Sequence, residues 1–101
     1  MAILVAQHRV RDFGVWKSAF DDHEEARRSH GAVRHWLYRD AADPNDVVVA
    51  IEFPGPDAAR EFLQDPSLAE AMSRGGVEGE PHVHIREEVE MMEYAPPPGI
   101  A

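Results

Sequence analysis

Cysteine is absent from this chain of 101 residues. That excludes disulfides, thiolate zinc sites, iron–sulfur clusters and cysteine nucleophiles. Basic residues are scarce: Lys and Arg total 10 against 19 Asp and Glu, giving a formal net charge of −9. Arg27-Arg28 is the only adjacent basic pair. An acidic chain repels phosphate backbones and anionic headgroups, so neither nucleic acid nor a membrane surface is an expected partner. Long apolar runs are also missing. No stretch approaches the roughly 18 apolar residues of a membrane span, and Met1–Ala6 is too short, and lacks the basic leader, for a signal peptide. The expected location is the cytoplasm. A Gly-rich phosphate loop is lacking, because Gly75-Gly76 follows a helical stretch instead of preceding one. No Gly-x-Ser-x-Gly elbow occurs.

What is present fits one small domain, expected over residues 1–95 with a Pro-rich tail at 96–101. Residues 3–10 are apolar and partly alternating, as in a strand. Leu4, Ala6, His8 and Val10 share one face, and Ile3, Val5, Gln7 and Arg9 the other. Asp12 is a good N-cap and Gly31 a good stop. Between them Phe13, Trp16, Phe20, His23, Arg27 and His30 fall within an arc of roughly 100°, which predicts one amphipathic helix over 12–30. Strands follow over 33–39 and 47–53, separated by the polar turn of residues 40–46. The near-continuous apolar run of 47–53 predicts a central strand covered on both faces. Pro54-Gly55-Pro56 breaks the chain. Helices are expected over 57–64 and from Asp65-Pro66 to about residue 74. Residues 77–81 read as a loop and 82–92 as the last strand. The order β, α, β, β, α, β is the ferredoxin-like βαββαβ arrangement, an α+β fold. Its four-stranded antiparallel sheet carries both helical segments on one face. The other face is left open, and a second copy of the chain is the simplest cover.

Several stretches carry a resemblance. His8 to Phe20, Tyr38 to Asn45, Phe62 to Met72, Gly75-Gly76-Val77 and Gly79-Glu80-Pro81 together resemble the dimeric α/β-barrel superfamily. That group includes antibiotic-biosynthesis monooxygenase-like proteins and small polyketide cyclases, and the nearest subgroup is a set of small bacterial proteins labelled cyclase. The resemblance spans residues 5–86. It implies a homodimer and a ligand cleft between helices and sheet in each subunit. One scaffold carries many functions, and no superfamily-wide catalytic motif is available to carry over, so the site is argued from this chain.

The helical stripe changes character along its length. Phe13, Trp16 and Phe20 are apolar, whereas His23, Arg27 and His30 are polar on the same face. Burying unpartnered polar groups costs a few kcal/mol each. Either they find partners and snorkel to water, or they line a pocket with an apolar floor and a polar mouth. Phe62 and Met72 would add to the floor. His8, on an apolar strand face, is either a general base or a core histidine bonded to backbone. His35 alternates with Val33 and Leu37 and is expected to look toward the helices. Trp36 and Tyr38 would then point to a partner subunit; a one-residue slip reverses this. The expected acid–base set is His8, His23, His35 and Arg27. Trp16, Phe20, Phe13, Phe62 and Met72 are the expected substrate-binding set. His82 and His84 point one way on the last strand and, with His8 nearby, form the sharpest metal pattern, yet an isolated pair lacks a third ligand and second shell. Neither a metal nor a cofactor is expected.

Three functions remain open at this stage. The first is a cofactor-free cyclase or monooxygenase-like enzyme acting on a hydrophobic, oxygenated, polyketide-like molecule. The second is a non-catalytic small-molecule-binding or stress-response protein. The third is a structural dimer with Arg27 tied to a carboxylate and no cavity. The discriminator is whether two or more of His8, His23, His35 and Arg27 reach one unoccupied volume.

Overall fold

The computed structural model describes residues 1–99. Strand β1 (Ala2–Val10) leads into helices α1 (Phe13–Asp22) and α2 (Glu24–Ser29). Strands β2 (Arg34–Arg39) and β3 (Asp46–Phe53) follow. Helices α3 (Pro56–Leu63) and α4 (Pro66–Arg74) precede β4 (Val77–Glu87). The strands lie in the order β2-β3-β1-β4, every neighbouring pair antiparallel. The four helices cover one face, giving the ferredoxin-like α+β fold. No described helix is long and apolar enough to cross a membrane.

Local chemistry explains where the helices begin. Asp12 caps α1, its side chain accepting from Val15 N at 3.1 Å. Asp65 caps α4 and Pro66 fills its first position, where the missing N–H costs nothing. Gly76, at φ +72°, turns the chain out of α4, and a Cβ there would press on Arg11 at 3.3 Å.

The single helix expected over 12–30 is two helices, broken at His23. One carbonyl at the break takes two donors. Phe20 O accepts from His23 N at 3.2 Å and from Arg27 Nη1 at 2.8 Å. A side chain placed one turn further on thus takes up the acceptor that a continuous helix would use. The hydrophobic period runs through the break undisturbed, so the periodicity does not reveal it.

Two other boundaries differ from expectation. Residues 77–81 belong to β4 and not to a loop. Gly79, at φ +72°, and Pro81 mark an irregularity within the strand. Between the pairs Gln7↔His82 and Arg9↔Glu78, β1 advances two residues while β4 advances four. The extra residues bulge out opposite His8. At its other end β4 stops at Glu87, and residues 88–99 form neither helix nor strand. Val89, Met91, Met92 and Tyr94 there are exposed. Of the tail at 96–101, positions 100 and 101 lie outside the described residues.

The core is one layer between the helices and the sheet. Leu4, Val10, Val47, Val49, Ile51 and Phe53 rise from the sheet to meet Trp16, Ala59 and Phe62. Strand β3 is central, as its apolar run predicted, but the helices cover only one of its faces: Val48 and Ala50 on the other are half-buried. That open face also carries Trp36 and Tyr38, which pair with Ala50 and Val48. Phe53 is fully buried and packs against Phe62 with centroids 5.5 Å apart and planes tilted by 38°. Phe53→Ala is expected to cost about 3–5 kcal/mol of folding free energy, read from urea denaturation curves. A loss below about 1 kcal/mol would mean that the helix–sheet layer does not hold the fold.

Candidate functional site

A cavity of about 190 Å³ opens between the helices and the sheet. Strand alternation delivers Leu4, Ala6 and His8 to its floor, and β3 adds Val49 and Ile51. Helix spacing brings Trp16, Phe20, His23 and Arg27 down from above, and Phe62 and Met72 close the far side. The lining is apolar except at His8, His23 and Arg27. Three of the four expected acid–base residues therefore reach one volume, together with four of the five expected apolar ones.

His35 and Phe13 are not among the lining residues. His35 meets Phe20 edge-on at 5.0 Å but stays exposed, because β2 is an edge strand with little helix above it. Phe13 packs on Trp16 at 5.9 Å and carries the Arg39 guanidinium 4.3 Å from its centroid. His82 and His84 pair with Gln7 and Val5, on the opposite face of β1 from His8, so the three histidines do not converge. Among the described residues no three His, Asp or Glu side chains are grouped to hold a metal.

His8 is the most unusual group. It is 8% exposed, and neither ring nitrogen has a hydrogen-bond partner. Its ring lies 5.4 Å from that of Trp16, tilted by 56°. Buried polar atoms are almost always paired, so two nitrogens without a protein partner on a cavity wall are free to hydrogen-bond a molecule bound there. Burial lowers the pKa of His8, against the pull of Asp46. The imidazole is thus held as the free base at neutral pH.

Arg27 is 4% exposed. Its guanidinium lies 3.7 Å over the Phe20 ring and donates to the Phe20 carbonyl. No carboxylate among the described residues lies within 4.0 Å of it. Burial pulls its pKa down, with Glu24 and Asp21 acting in the other direction, but an arginine remains cationic. A buried positive charge without a counter-ion is a strong attractor for a negatively charged oxygen. The structural-dimer reading required a carboxylate on Arg27 and no cavity, and neither condition is met.

His23 is also lowered by burial, then by Arg27 and Arg74, with Asp65 opposing. Its Nε2 lies 2.8 Å from Ser67 Oγ. Neither Ser67 nor Asp65 is among the expected site residues: the sequence explains Asp65 as a helix cap, and Ser67 carries no signal of its own. Pro81 also lines the cavity, at the bulge that reads as a loop.

No family model and no curated protein matches the chain. Solved structures do match. SnoaB, a cofactor-independent oxygenase from Streptomyces nogalater, aligns with a TM-score of 0.76 at 18% identity, over 92% of this chain and 97% of its own. An antibiotic biosynthesis monooxygenase aligns with a TM-score of 0.70 at 16% identity, over 89% of this chain and 100% of its own. A protein of Mycobacterium tuberculosis aligns at 0.68 and 15%, over 91% and 98%. This chain has the antibiotic-biosynthesis-monooxygenase-like fold. At these identities the likeness is one of fold, and the superfamily resemblance of residues 5–86 agrees with it.

The histidines give the site a pH signature. His8, His23 and His35 all have lowered pKa values in the folded chain. Below about 6.5 the unfolded chain therefore binds more protons than the folded one, and stability is lost as pH falls from that value through the folded ones. Asp65, lowered to about 2 by Ser67 and His30, extends the loss below its usual carboxylate range. His8→Leu removes two unsatisfied atoms from the interior. It is expected to raise stability at pH 7 by about 1 kcal/mol or more and to flatten the decline between pH 6.5 and 5 in urea titrations. A destabilised His8→Leu protein with an unchanged pH slope would contradict the orphaned, neutral histidine.

Proposed function

We propose that this chain is a cofactor-independent, cyclase- or monooxygenase-like enzyme of natural-product-type metabolism, acting in the cytoplasm on a hydrophobic, oxygenated, polyketide-like substrate. The observation that carries the reading is His8: a buried free-base imidazole with both nitrogens unpartnered, on the wall of an apolar cavity. Trp16, Phe20, Phe62 and Met72 seat the hydrocarbon rings of the substrate. His8 takes a proton from a carbon next to a carbonyl, becoming imidazolium, and the electron pair delocalises onto the carbonyl oxygen. Arg27 holds that oxygen as its charge develops, with no reorganisation needed in a water-poor site. Both chemistries share this step. In a cyclase the carbanion attacks a second carbonyl of the same molecule and His8 returns the proton to the new alkoxide. In an oxygenase the substrate carbanion reduces O₂ as a carbon–oxygen bond forms, the His8 imidazolium gives its proton to the peroxide anion, and loss of water from that hydroperoxide at a methylene leaves a new carbonyl. The fold shared with a cofactor-independent oxygenase supports the second branch.

The site of one chain is proposed to work within a homodimer joined through the open sheet face. Trp36 and Tyr38 on that face are 37% and 55% exposed, and large aromatics favour interfaces. Trp36→Glu is expected to halve the mass seen by light scattering, whereas an unchanged mass would place the interface elsewhere.

The chemical step is tested with 2-tetralone, a bicyclic aromatic ketone with an acidic benzylic C–H. Proton NMR in D₂O is expected to show faster deuterium uptake in the presence of the protein. His8→Gln is expected to slow it about 10²–10⁴-fold, and the rate should fall on the acid side as His8 protonates. Wild-type rates in His8→Gln would refute His8 as the base. Binding without any exchange would favour a non-catalytic binding protein.

A further inference from the structure

A chain of side-chain hydrogen bonds leads from the cavity wall toward the surface, and the proton abstraction by His8 does not use it. Its inner end is His23, whose Nε2 lies 2.8 Å from Ser67 Oγ. Ser67 Oγ donates to Asp65 Oδ1 at 2.7 Å. Asp65 Oδ2 pairs with His30 Nε2 at 2.8 Å. The Phe62 ring lies against both histidines, 5.9 Å from His23 and 5.8 Å from His30. The network thus ties both ends of α2 to the first turn of α4, across 44 and 35 positions of sequence.

The direction of each bond follows from the acceptor at its centre. Asp65 is ionised throughout the neutral range, and an ionised carboxylate can only accept. The single hydroxyl hydrogen of Ser67 is therefore committed to Asp65. What Ser67 has left for His23 is a lone pair, so the hydrogen of that contact must sit on His23 Nε2. A neutral imidazole with its hydrogen on Nε2 has its free lone pair on Nδ1. The charged groups acting on His23 are Arg27 from α2 and Arg74 and Asp65 from the α4 segment. Burial first, and then the two arginines, favour the neutral ring, with Asp65 acting in the other direction.

We propose that Asp65 and Ser67 are positioning residues that fix His23 as its Nε2–H tautomer and make Nδ1 a second acceptor of the cavity, matched to an enolic or phenolic O–H of the ligand. The second half rests on the acid–base reading of the cavity, whereas the tautomer does not. The ligand O–H donates a hydrogen bond to Nδ1 while Nε2–H donates to Ser67, and no covalent bond changes. A capping role alone does not need this arrangement. Asp65 already caps α4 through the Ser67 backbone N–H at 2.9 Å, and that bond survives loss of the Ser67 hydroxyl.

The test begins with long-range ¹H–¹⁵N NMR of the whole apo protein with labelled histidine rings at pH 7 to 8. Wild-type His23 is expected as the single Nε2–H form, Ser67→Ala as a mixture of both forms, and Ser67→Thr as the single form again. Asp65→Asn keeps a capping side chain and is also expected to mix the forms, which covers poor folding of Ser67→Ala. A single unchanged tautomer in both Ser67→Ala and Asp65→Asn would overturn the positioning role. The ligand half is read by titrating 2-naphthol and naphthalene. Ser67→Ala is expected to weaken 2-naphthol about tenfold and leave naphthalene unchanged. An unaltered ratio of the two affinities would overturn the role of Nδ1, whatever His8→Gln does to deuterium exchange.

Discussion

Strand β1 is hydrogen-bonded along both edges, to β3 and to β4, and that double pairing sets its register. Because side chains alternate, the register decides that Leu4, Ala6, His8 and Val10 meet the helices while Val5 and Gln7 do not. A slip of one residue would put Gln7 and Arg9 into the core and send His8 to the open face. The cavity floor, the isolation of His8 from water and its separation from His82 and His84 all follow from this one constraint. The bulge in β4 falls opposite His8. It loosens the ladder only there, and it brings Pro81 to the cavity without moving His8.

The helical layer adds the opposing wall. Trp16 stacks on Phe20 with centroids 5.1 Å apart and planes 27° apart, and Phe20 in turn carries Arg27. The same phenylalanine supplies its ring to the guanidinium as a cation–π surface and its carbonyl as a hydrogen-bond acceptor. The helix break at His23 and the placement of Arg27 are thus two sides of one interaction. A straight helix would leave the Phe20 carbonyl to the backbone and Arg27 with one fewer partner. The positive charge so installed contrasts with a chain whose formal charge is −9, and its burial leaves it weakly screened by water.

Much of this was legible in the residues, for identifiable reasons. Alternation in β1 and the three- and four-residue spacing from Phe13 to Arg27 report burial directly, so the succession of strands and helical segments could be read, whereas whether His8, His23 and Arg27 share one volume was a question only the geometry answers. Features set by single polar contacts could not. The break at His23 coincides with a guanidinium–carbonyl bond to Phe20 that no periodicity reports. The start of β4 was hidden because Gly79 and Pro81 signal loops and bulges alike. His35 was assigned to the correct face, but alternation is blind to whether an edge strand has a helix above it. Asp65 carried a complete local explanation as a cap and Ser67 no signal at all, and their bonds to His30 and His23 come from remote sequence.

Strand β4 is the longest in the sheet at eleven residues, and in the single chain it lies at an edge. A long unpaired edge is a template for runaway strand addition between molecules. Here Pro81 removes a donor, Gly79 and the bulge spoil the straight repeat that an incoming strand would need, and Glu78, Glu80 and Glu87 place like charges along it. The irregularity that frames His8 is therefore also a guard against aggregation. Ironing it out to give an ideal strand would trade colloidal stability for regularity.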